Sequence, residues 1–269
     1  MRPKDWYQTE EIMPGVFHGE EYEDASFYLI EGTEKALLID TGMGEGDFRK
    51  VVEAWTEKPI ELAITHAHGD HFLHADLFRG SPIYMHKRDI DKLDDWYHMH
   101  DGLFAGHECQ KEDFTPIWED SVINLGGGYT VRVLEVPGHT PGSVVFYDEK
   151  RNLLFTGDAI GSGIGVWMIV PGGLTLSEYR EGLLHFAGRL RKLPPMRMLG
   201  GHLTQEGKPG TDHYNPLTLT TVTDMARLCE EILSGRIKGT PAENIFNEEP
   251  AFHAELGKAS MEYRLSQIR

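Results

Sequence analysis

Short apolar runs, bounded by glycine, proline or charged residues, recur along the first two thirds of the chain. Runs of this length and composition are typical of strands that are largely buried in a sheet. The turn residues Glu31-Gly32-Thr33 separate two of them, and residues 148–152 form a second turn of hairpin type. Strands are therefore predicted at 15–17, 26–30, 36–39, 60–64, 82–86, 129–134, 144–147 and 153–156.

Apolar residues at helical spacing predict helices between and after these strands. One helix is predicted to run from Asp47 up to Pro59, and a short one to cover residues 74–78. Because strands and helices alternate in this part of the chain, the pattern indicates an α/β fold.

Two later helices carry clear terminal signals. Thr175 and Glu178 have the spacing of a capping box and begin an amphipathic stretch that continues to Leu190. Asn215 and Pro216 predict the N-cap and first residue of the next helix, whose apolar stripe includes Cys229. Gly235 is predicted to follow its C-terminus.

Two segments lack a regular pattern. Residues 87–120 combine many charges with several aromatic side chains, which a disordered linker would not contain, and so predict an ordered insertion. Cys109 lies in this polar insertion, where its thiol could be exposed. Residues 239–269 form a weakly patterned C-terminal extension that could pack on the domain or on a second subunit of a homodimer. We therefore predict a single domain over residues 1–269 that includes both segments.

Composition narrows the choice of partners. The chain has 43 acidic and 26 basic residues and a formal charge of −17, which disfavours binding to nucleic acid. Its two cysteines are too few for a disulfide framework, and Cys229 is predicted to be a small core residue. Residues 1–6 lack the apolar stretch that a signal peptide requires, and we expect no membrane span because no apolar run has the necessary length. We therefore expect a cytoplasmic protein that binds a small molecule and not a membrane.

A dense group of potential metal ligands follows the predicted strand at 60–64. The sequence Thr65-His66-Ala67-His68-Gly69-Asp70-His71 places three imidazoles and a carboxylate in an H-x-H-x-D-H pattern. Imidazole and carboxylate are ligands that Zn²⁺ prefers, and a turn that contains glycine can direct them to one point. A histidine-rich surface turn is the ordinary alternative, but this spacing favours a metal site.

Three further candidate ligands lie beside glycine, near the ends of apolar runs. His139 lies in Gly138-His139-Thr140-Pro141-Gly142, Asp158 follows Gly157, and His202 follows Gly201. Glycine allows the backbone to turn sharply and to approach a site closely. Taken alone, each residue could be an ordinary turn or surface residue. Together with the first motif they predict a set of metal ligands.

These motifs, in this order, resemble those of the metallo-β-lactamase-fold superfamily. The likeness comprises H-x-H-x-D-H, G-H-T-P-G, F-T-G-D and a late G-G-H, and it includes the early strand and turn Leu38-Ile39-Asp40-Thr41-Gly42. The resemblance implies an αββα sandwich, with the metal ions at the sheet edges between its two halves.

The resemblance also implies a role for each ligand. It implies that His66, His68 and His139 bind a first metal ion and that Asp70, His71 and His202 bind a second. Asp158 would bridge the ions, Asp70 would also orient the attacking water, and Asp40 would hold a ligand histidine or its loop. Two zinc ions per chain are expected, although Fe or Mn also suits a site of nitrogen and oxygen donors.

The resemblance leaves several reactions open. The leading hypothesis is a dinuclear zinc hydrolase that uses a metal-bound hydroxide to cleave a small-molecule thioester, ester, lactone or lactam. One alternative resembles the persulfide dioxygenases, with a single iron held by His66, His139 and Asp158. Another is a phosphodiesterase or nuclease of the same fold, which the charge of −17 disfavours. A non-catalytic metal-binding protein is disfavoured by the complete ligand set.

An apolar segment after Asp158 is a candidate wall of the substrate pocket. Residues 164–170 could form either a buried strand or such a wall, and they contain Trp167. With Trp96, Tyr97 and Phe104 from the insertion, Trp167 would provide a hydrophobic pocket beside the metals. We therefore expect a substrate with an apolar or aromatic acyl part.

Overall fold

The computed structural model describes residues 6–21, 25–99 and 102–268, and these residues form a mixed α/β fold. Within them, no helix combines the length and the apolar character that crossing a membrane requires. The helices are α1 (Phe48–Glu53), α2 (Gly69–Phe72), α3 (Lys87–Asp91), α4 (Leu93–Met99), α5 (Leu176–Leu190) and α6 (Leu219–Leu233). The strands are β1 (Tyr7–Met13), β2 (Val16–Glu21), β3 (Ser26–Glu31), β4 (Ala36–Ile39), β5 (Ile60–Ala63), β6 (Ile83–His86), β7 (Phe114–Ile117), β8 (Val122–Asn124), β9 (Thr130–Glu135), β10 (Val144–Asp148), β11 (Leu153–Gly157), β12 (Val166–Trp167), β13 (Arg197–Gly200), β14 (Thr240–Ala242), β15 (Ala251–Leu256) and β16 (Ala259–Arg264).

The chain divides into two compact units. Residues 1–133 and 146–151 form the first unit, and residues 134–145 and 152–269 form the second. The prediction of one domain over residues 1–269 stays a prediction.

The first unit is built on a seven-stranded sheet whose strands follow in chain order from β1 to β7. Strands β1 to β4 pair antiparallel, and β4 to β7 pair parallel. Ile39 of β4 pairs with Ala63 of β5, so the carboxyl ends of these two strands lie side by side. The loops that follow β4 and β5 therefore begin at the same edge of the sheet, as expected for parallel neighbours.

Helices and loops of the first unit cover this sheet with large apolar side chains. Phe27, Phe48, Phe72, Phe78 and Trp96 are all buried in one core cluster. The described part of segment 87–120 contributes to this cluster and supplies β7, which pairs with β6.

The exposure suggested for Cys109 is wrong. Its side chain is 2% exposed and belongs to the core cluster. The backbone N–H of Cys109 donates to the Tyr97 hydroxyl, which in turn donates to the Cys109 carbonyl oxygen. The polar residues beside Cys109 in the sequence suggested exposure, whereas its side chain packs in the core of the first unit.

The second unit contains a parallel pair, β11 and β13, and a four-stranded sheet of order β12-β16-β15-β14. Helices α5 and α6 pack on each other, and α6 also packs on β15 and β16. Strands β14 to β16 occupy the C-terminal extension, for which the sequence analysis predicted no elements.

The predicted apolar strands are confirmed, and so is the α5 capping box of Thr175 and Glu178. Two predicted helices differ from the structure. Helix α1 ends at Glu53, well before Pro59, and the short helix is a 3-10 helix from Leu73 to Phe78. In segment 164–170, only Val166–Trp167 is a strand.

The predicted start of α6 is also wrong. Its N-cap is Thr218, whose hydroxyl accepts from the backbone N–H of Thr221. The Asn215 side chain does not cap the helix, because its amide donates to the carbonyl oxygen of Gly163. Gly235 follows the helix with a φ of 72°, as predicted.

Candidate metal centre

In the first unit, Asp40 organises the loop that carries the histidines. Asp40 follows β4, and its backbone N–H donates to the carbonyl oxygen of Ala63 at the end of β5. Its carboxylate accepts from the Thr65 backbone N–H at 2.8 Å and from the Thr65 hydroxyl at 2.7 Å. The pairing of β4 with β5 therefore brings a carboxylate directly against the start of the histidine loop.

The same carboxylate orients His71. His71 Nδ1 lies 2.9 Å from Asp40 Oδ2, so Nδ1–H donates to the carboxylate and Nε2 keeps its lone pair for a metal ion. Burial raises the pKa of the Asp40 carboxyl, and the hydrogen bonds from His71 and Thr65 act to lower it. Asp40 thus has the positioning role that the resemblance implied.

The histidines of this loop lie close together. The His66 ring is 4.7 Å from that of His68 and 4.3 Å from that of His71, measured between ring centroids. The donor atoms of three pairs, His66 with His68, His66 with His71 and Asp70 with His71, lie within 4.8 Å. All three imidazoles are buried, whereas Asp70 is partly exposed. The first unit therefore brings together its four predicted ligands.

In the second unit, two contacts position His139: the close packing of Gly138 on the Tyr179 ring and a hydrogen bond to the backbone carbonyl of Trp167. A side chain on Gly138 would meet the Tyr179 ring at 2.0 Å, so only glycine fits before His139. His139 Nδ1 lies 3.0 Å from the carbonyl oxygen of Trp167 and donates to it. This contact leaves His139 Nε2 as the donor atom for a metal ion.

Asp158 and His202 follow neighbouring parallel strands. Gly157 at the end of β11 pairs with Gly200 at the end of β13, so the next residues leave the strands together. Asp158 Oδ2 lies 3.3 Å from His202 Nε2 and 3.8 Å from His139 Nε2. The second unit thus brings together its three predicted ligands.

Two supporting residues were missed by the sequence analysis. The buried carboxylate of Asp89 accepts from the backbone N–H of Ala67, between His66 and His68. The hydroxyl of Ser162 accepts from the backbone N–H of His202. Asp89 lies among many charged residues in the sequence, and Ser162 lies in a glycine-rich loop. Their neighbouring residues therefore do not indicate that either one supports a ligand.

The donor atoms suit a divalent metal ion. They are imidazole nitrogens and carboxylate oxygens, which Zn²⁺ accepts readily. Burial raises the pKa of Cys109 to about 11 and of Cys229 to about 12, and neither thiol belongs to a candidate ligand group of the described residues. The candidate ligand groups of the described residues consist of histidine and aspartate alone.

The residues predicted to form a substrate pocket lie in different surroundings. Trp96 and Phe104 are buried in the core of the first unit, where Trp96 packs edge-on against His68 and Phe104 packs on Phe72. Tyr97 is partly buried against the same core. Trp167, in the second unit, is 43% exposed. Their role as a pocket stays a prediction.

Comparison with known proteins defines the class of the chain. Residues 23–202 match the Metallo-beta-lactamase superfamily, and the chain belongs to this family. The metallo-β-lactamase FIM-1 from Pseudomonas aeruginosa, solved in a mono-zinc form, superposes with a TM-score of 0.62 at 17% identity. The aligned region covers 86% of this chain and 98% of FIM-1, and it confirms the predicted fold.

Several relatives have names that describe hydrolases. The probable metallo-hydrolase YqgX of Bacillus subtilis is 31% identical over 170 residues, which cover 60% of this chain and 79% of YqgX. The human acyl-coenzyme A thioesterase MBLAC2 is 24% identical, with 61% of this chain and 70% of MBLAC2 covered. A hydroxyacylglutathione hydrolase of Bdellovibrio bacteriovorus is 27% identical, and the alignment covers 66% of this chain and 62% of that hydrolase. The chain is thus a hydrolase, and its fold implies a divalent metal ion.

Proposed function

We propose that this chain is a dinuclear zinc hydrolase that cleaves small-molecule thioesters with an apolar acyl part. The substrate class is supported by the relatives, since MBLAC2 is named an acyl-coenzyme A thioesterase. Esters, lactones and lactams contain the same kind of reacting carbonyl and are weaker expected substrates.

The observation that carries the proposal is the grouping of the donor atoms. The first unit groups His66, His68, Asp70 and His71, and the second unit groups His139, Asp158 and His202. In our proposal, one zinc ion would be bound by His66, His68 and His139, and the other by Asp70, His71 and His202. Asp158 would be the shared ligand.

The proposed chemistry assigns different tasks to the metal and to the side chains. Bound zinc ions supply Lewis acidity, which lowers the pKa of a water molecule and polarises the substrate carbonyl. Asp40 and the Trp167 carbonyl hold His71 and His139 with Nε2 available to the metal. The partly exposed Asp70 accepts a hydrogen bond from the attacking water. Hydrolysis then yields a carboxylic acid and a thiol.

A substrate panel tests this function. Zinc-loaded protein is assayed with an acyl-coenzyme A, an S-acylglutathione, an oxygen ester, a lactone, a lactam and a phosphodiester. We expect the highest kcat/KM for a thioester with an apolar acyl chain, measured by thiol release. His139→Ala should lose about a thousandfold or more in kcat/KM, because an incomplete ligand set loses metal. His253→Ala, at a histidine outside the candidate ligand groups, is the matched control.

The same panel can contradict the proposal. A protein with bound zinc that hydrolyses none of the carbonyl substrates would exclude it. Cleavage of the phosphodiester alone would favour the nuclease alternative. One bound iron per chain, with oxygen consumed on addition of a persulfide, would favour the dioxygenase alternative.

A further inference from the structure

The second unit contains a cavity that the proposed reaction does not use. Its volume is about 460 Å³, which is within the usual range for small-molecule sites. It is bordered by β13, by the 3-10 helix Leu203–Glu206 and by the segment that leads to α6. Its lining is divided about equally between polar and apolar surface, and its apolar side chains include Met196, Met198, Leu203, Tyr214 and Leu217.

A buried carboxylate lies among these apolar side chains. Glu206 is 6% exposed, and its Oε1 is buried with no hydrogen-bond partner among the described residues. Burial raises the pKa of Glu206 to about 7, although Arg197 and the backbone amide of Gly200 act to lower it. Arg197 is the only other charged side chain in the described lining. The carboxyl group of Glu206 thus accepts from the Gly200 backbone amide, while its Oε1 lacks a donor among the described residues.

A backbone hydrogen bond holds the main chain of Glu206. The Asn215 backbone N–H donates to the Glu206 carbonyl oxygen at 2.8 Å. A Cβ atom at position 200 would lie 3.6 Å from Glu206 Oε1, so the Gly200 backbone runs close beside the carboxylate.

We propose that this cavity is a second ligand site, which binds a small organic cation with a primary ammonium group on an apolar body. The ammonium group donates to Glu206 Oε1, and the apolar body contacts the methionine and leucine side chains. A neutral apolar molecule would leave the buried oxygen without a donor, which is unfavourable. An ammonium group supplies three donors and the opposite charge. The net charge of −17 also favours the approach of cations.

Calorimetric titration of the full-length, zinc-loaded protein with hexylammonium chloride tests the proposal. We expect saturable binding at pH 8.5, where Glu206 is ionised, and affinity lower by about tenfold or more at pH 5.5. Glu206→Gln should lose about tenfold or more in affinity at pH 8.5 and should lose the pH dependence. Glu248→Gln, which removes an exposed carboxylate outside the cavity, should bind as the wild type does. The neutral probe 1-hexanol should bind far more weakly.

Methyl resonances of methionine locate the site within the protein. Hexylammonium should shift the signals of Met196 and Met198, which can be assigned with Met198→Leu. If Glu206→Gln does not fold, Arg197→Gln provides a second test, because removing this positive charge should strengthen binding severalfold at pH 8.5. Absence of saturable binding, equal affinity in Glu206→Gln, shifts confined to other methionines, or unchanged affinity in Arg197→Gln would each overturn the proposal. These results are independent of hydrolytic activity.

Discussion

Asp40 shows how one side chain can determine the geometry of the proposed centre. It has a φ of 61°, a left-handed conformation that aspartate and asparagine tolerate better than most residues. Its buried carboxylate accepts hydrogen bonds from both Thr65 donors and from His71. The hydrogen bond to His71 fixes which nitrogen of that ring is available to a metal ion.

Replacement of Asp40 by asparagine should weaken zinc binding while the fold is retained. Asparagine tolerates the same backbone conformation but cannot serve as an anionic acceptor for both Thr65 and His71. We expect zinc affinity to fall by about 10- to 100-fold, as measured by competition with a chromophoric chelator. Asp212→Asn, at an exposed aspartate, is the control. An Asp40→Asn protein with wild-type affinity would exclude the positioning role of Asp40.

Glu206 should make the stability of the protein depend on pH. Its pKa is about 7 in the folded state, above the usual value for glutamate, so folding favours its protonated form. The contribution of this group to stability is therefore present in acid and is lost as the pH rises towards 7. The free energy of unfolding of Glu206→Gln should equal that of the wild type near pH 5 and should be larger by roughly 1–2 kcal/mol at pH 8.5. Urea denaturation at both pH values measures the difference, and an equal difference at both would contradict this assignment.

At the scale of single elements, the N-terminus of α5 depends on the capping box. The Thr175 hydroxyl accepts from the backbone N–H of Glu178, whose carboxylate accepts from the backbone N–H of Thr175. Thr175→Ala should lower the free energy of unfolding by about 1 kcal/mol in urea denaturation. Thr223→Ala, within α6, should have little effect because alanine has the higher helix propensity. Equal losses in the two variants would argue against the capping role.

Two glycines provide a matched test of close packing. Gly138→Ala would push a methyl group into the Tyr179 ring of α5, whereas at Gly188, also in α5, the added methyl group meets open space. We expect Gly138→Ala to destabilise the protein by about 1–3 kcal/mol and to weaken metal binding through His139. Gly188→Ala should stabilise it by about 0.5–1 kcal/mol. Thermal unfolding gives both values, and a tolerated Gly138→Ala would contradict the packing argument.

Helices and strands were predictable from the sequence where the pattern that defines them lies within the element itself. Continuous apolar runs identified β3 to β6, and side-chain caps identified the start of α5. Strand β16 contains no continuous apolar run and was missed, although its buried Ala259, Met261 and Tyr263 alternate with polar residues, which is the pattern of a half-buried strand. The start of α6 was misplaced because the Asn215 side chain binds the Gly163 carbonyl, a contact between residues far apart in the sequence.

The same distinction applies to the candidate site. The histidine loop was evident from its spacing, because all four of its predicted ligands lie within residues 66–71. The grouping of His139, Asp158 and His202 depends on the pairing of β11 with β13 and on the Trp167 carbonyl. Their positions beside glycine marked them as candidate ligands, and the family resemblance implied which metal ion each would bind. Asp89 was missed because burial in the folded chain, and not its sequence context, distinguishes it from neighbouring charged residues.

At the scale of the whole molecule, each compact unit supplies part of the proposed ligand set. The first unit supplies His66, His68, Asp70 and His71, and the second supplies His139, Asp158 and His202. If all seven bind metal, zinc is bound by the folded chain and far less by the unfolded one. Added zinc should then raise the Tm of metal-free protein, and a chelator should reverse the rise. A Tm that does not respond to zinc would contradict this linkage.

The most direct test of the account is the metal content of the purified protein, determined by elemental analysis after dialysis against zinc and then against metal-free buffer. We expect about two zinc ions per wild-type chain and about one or fewer in His71→Ala and His139→Ala. A folded wild-type chain that retains no zinc, or variants that retain as much zinc as the wild type, would contradict it.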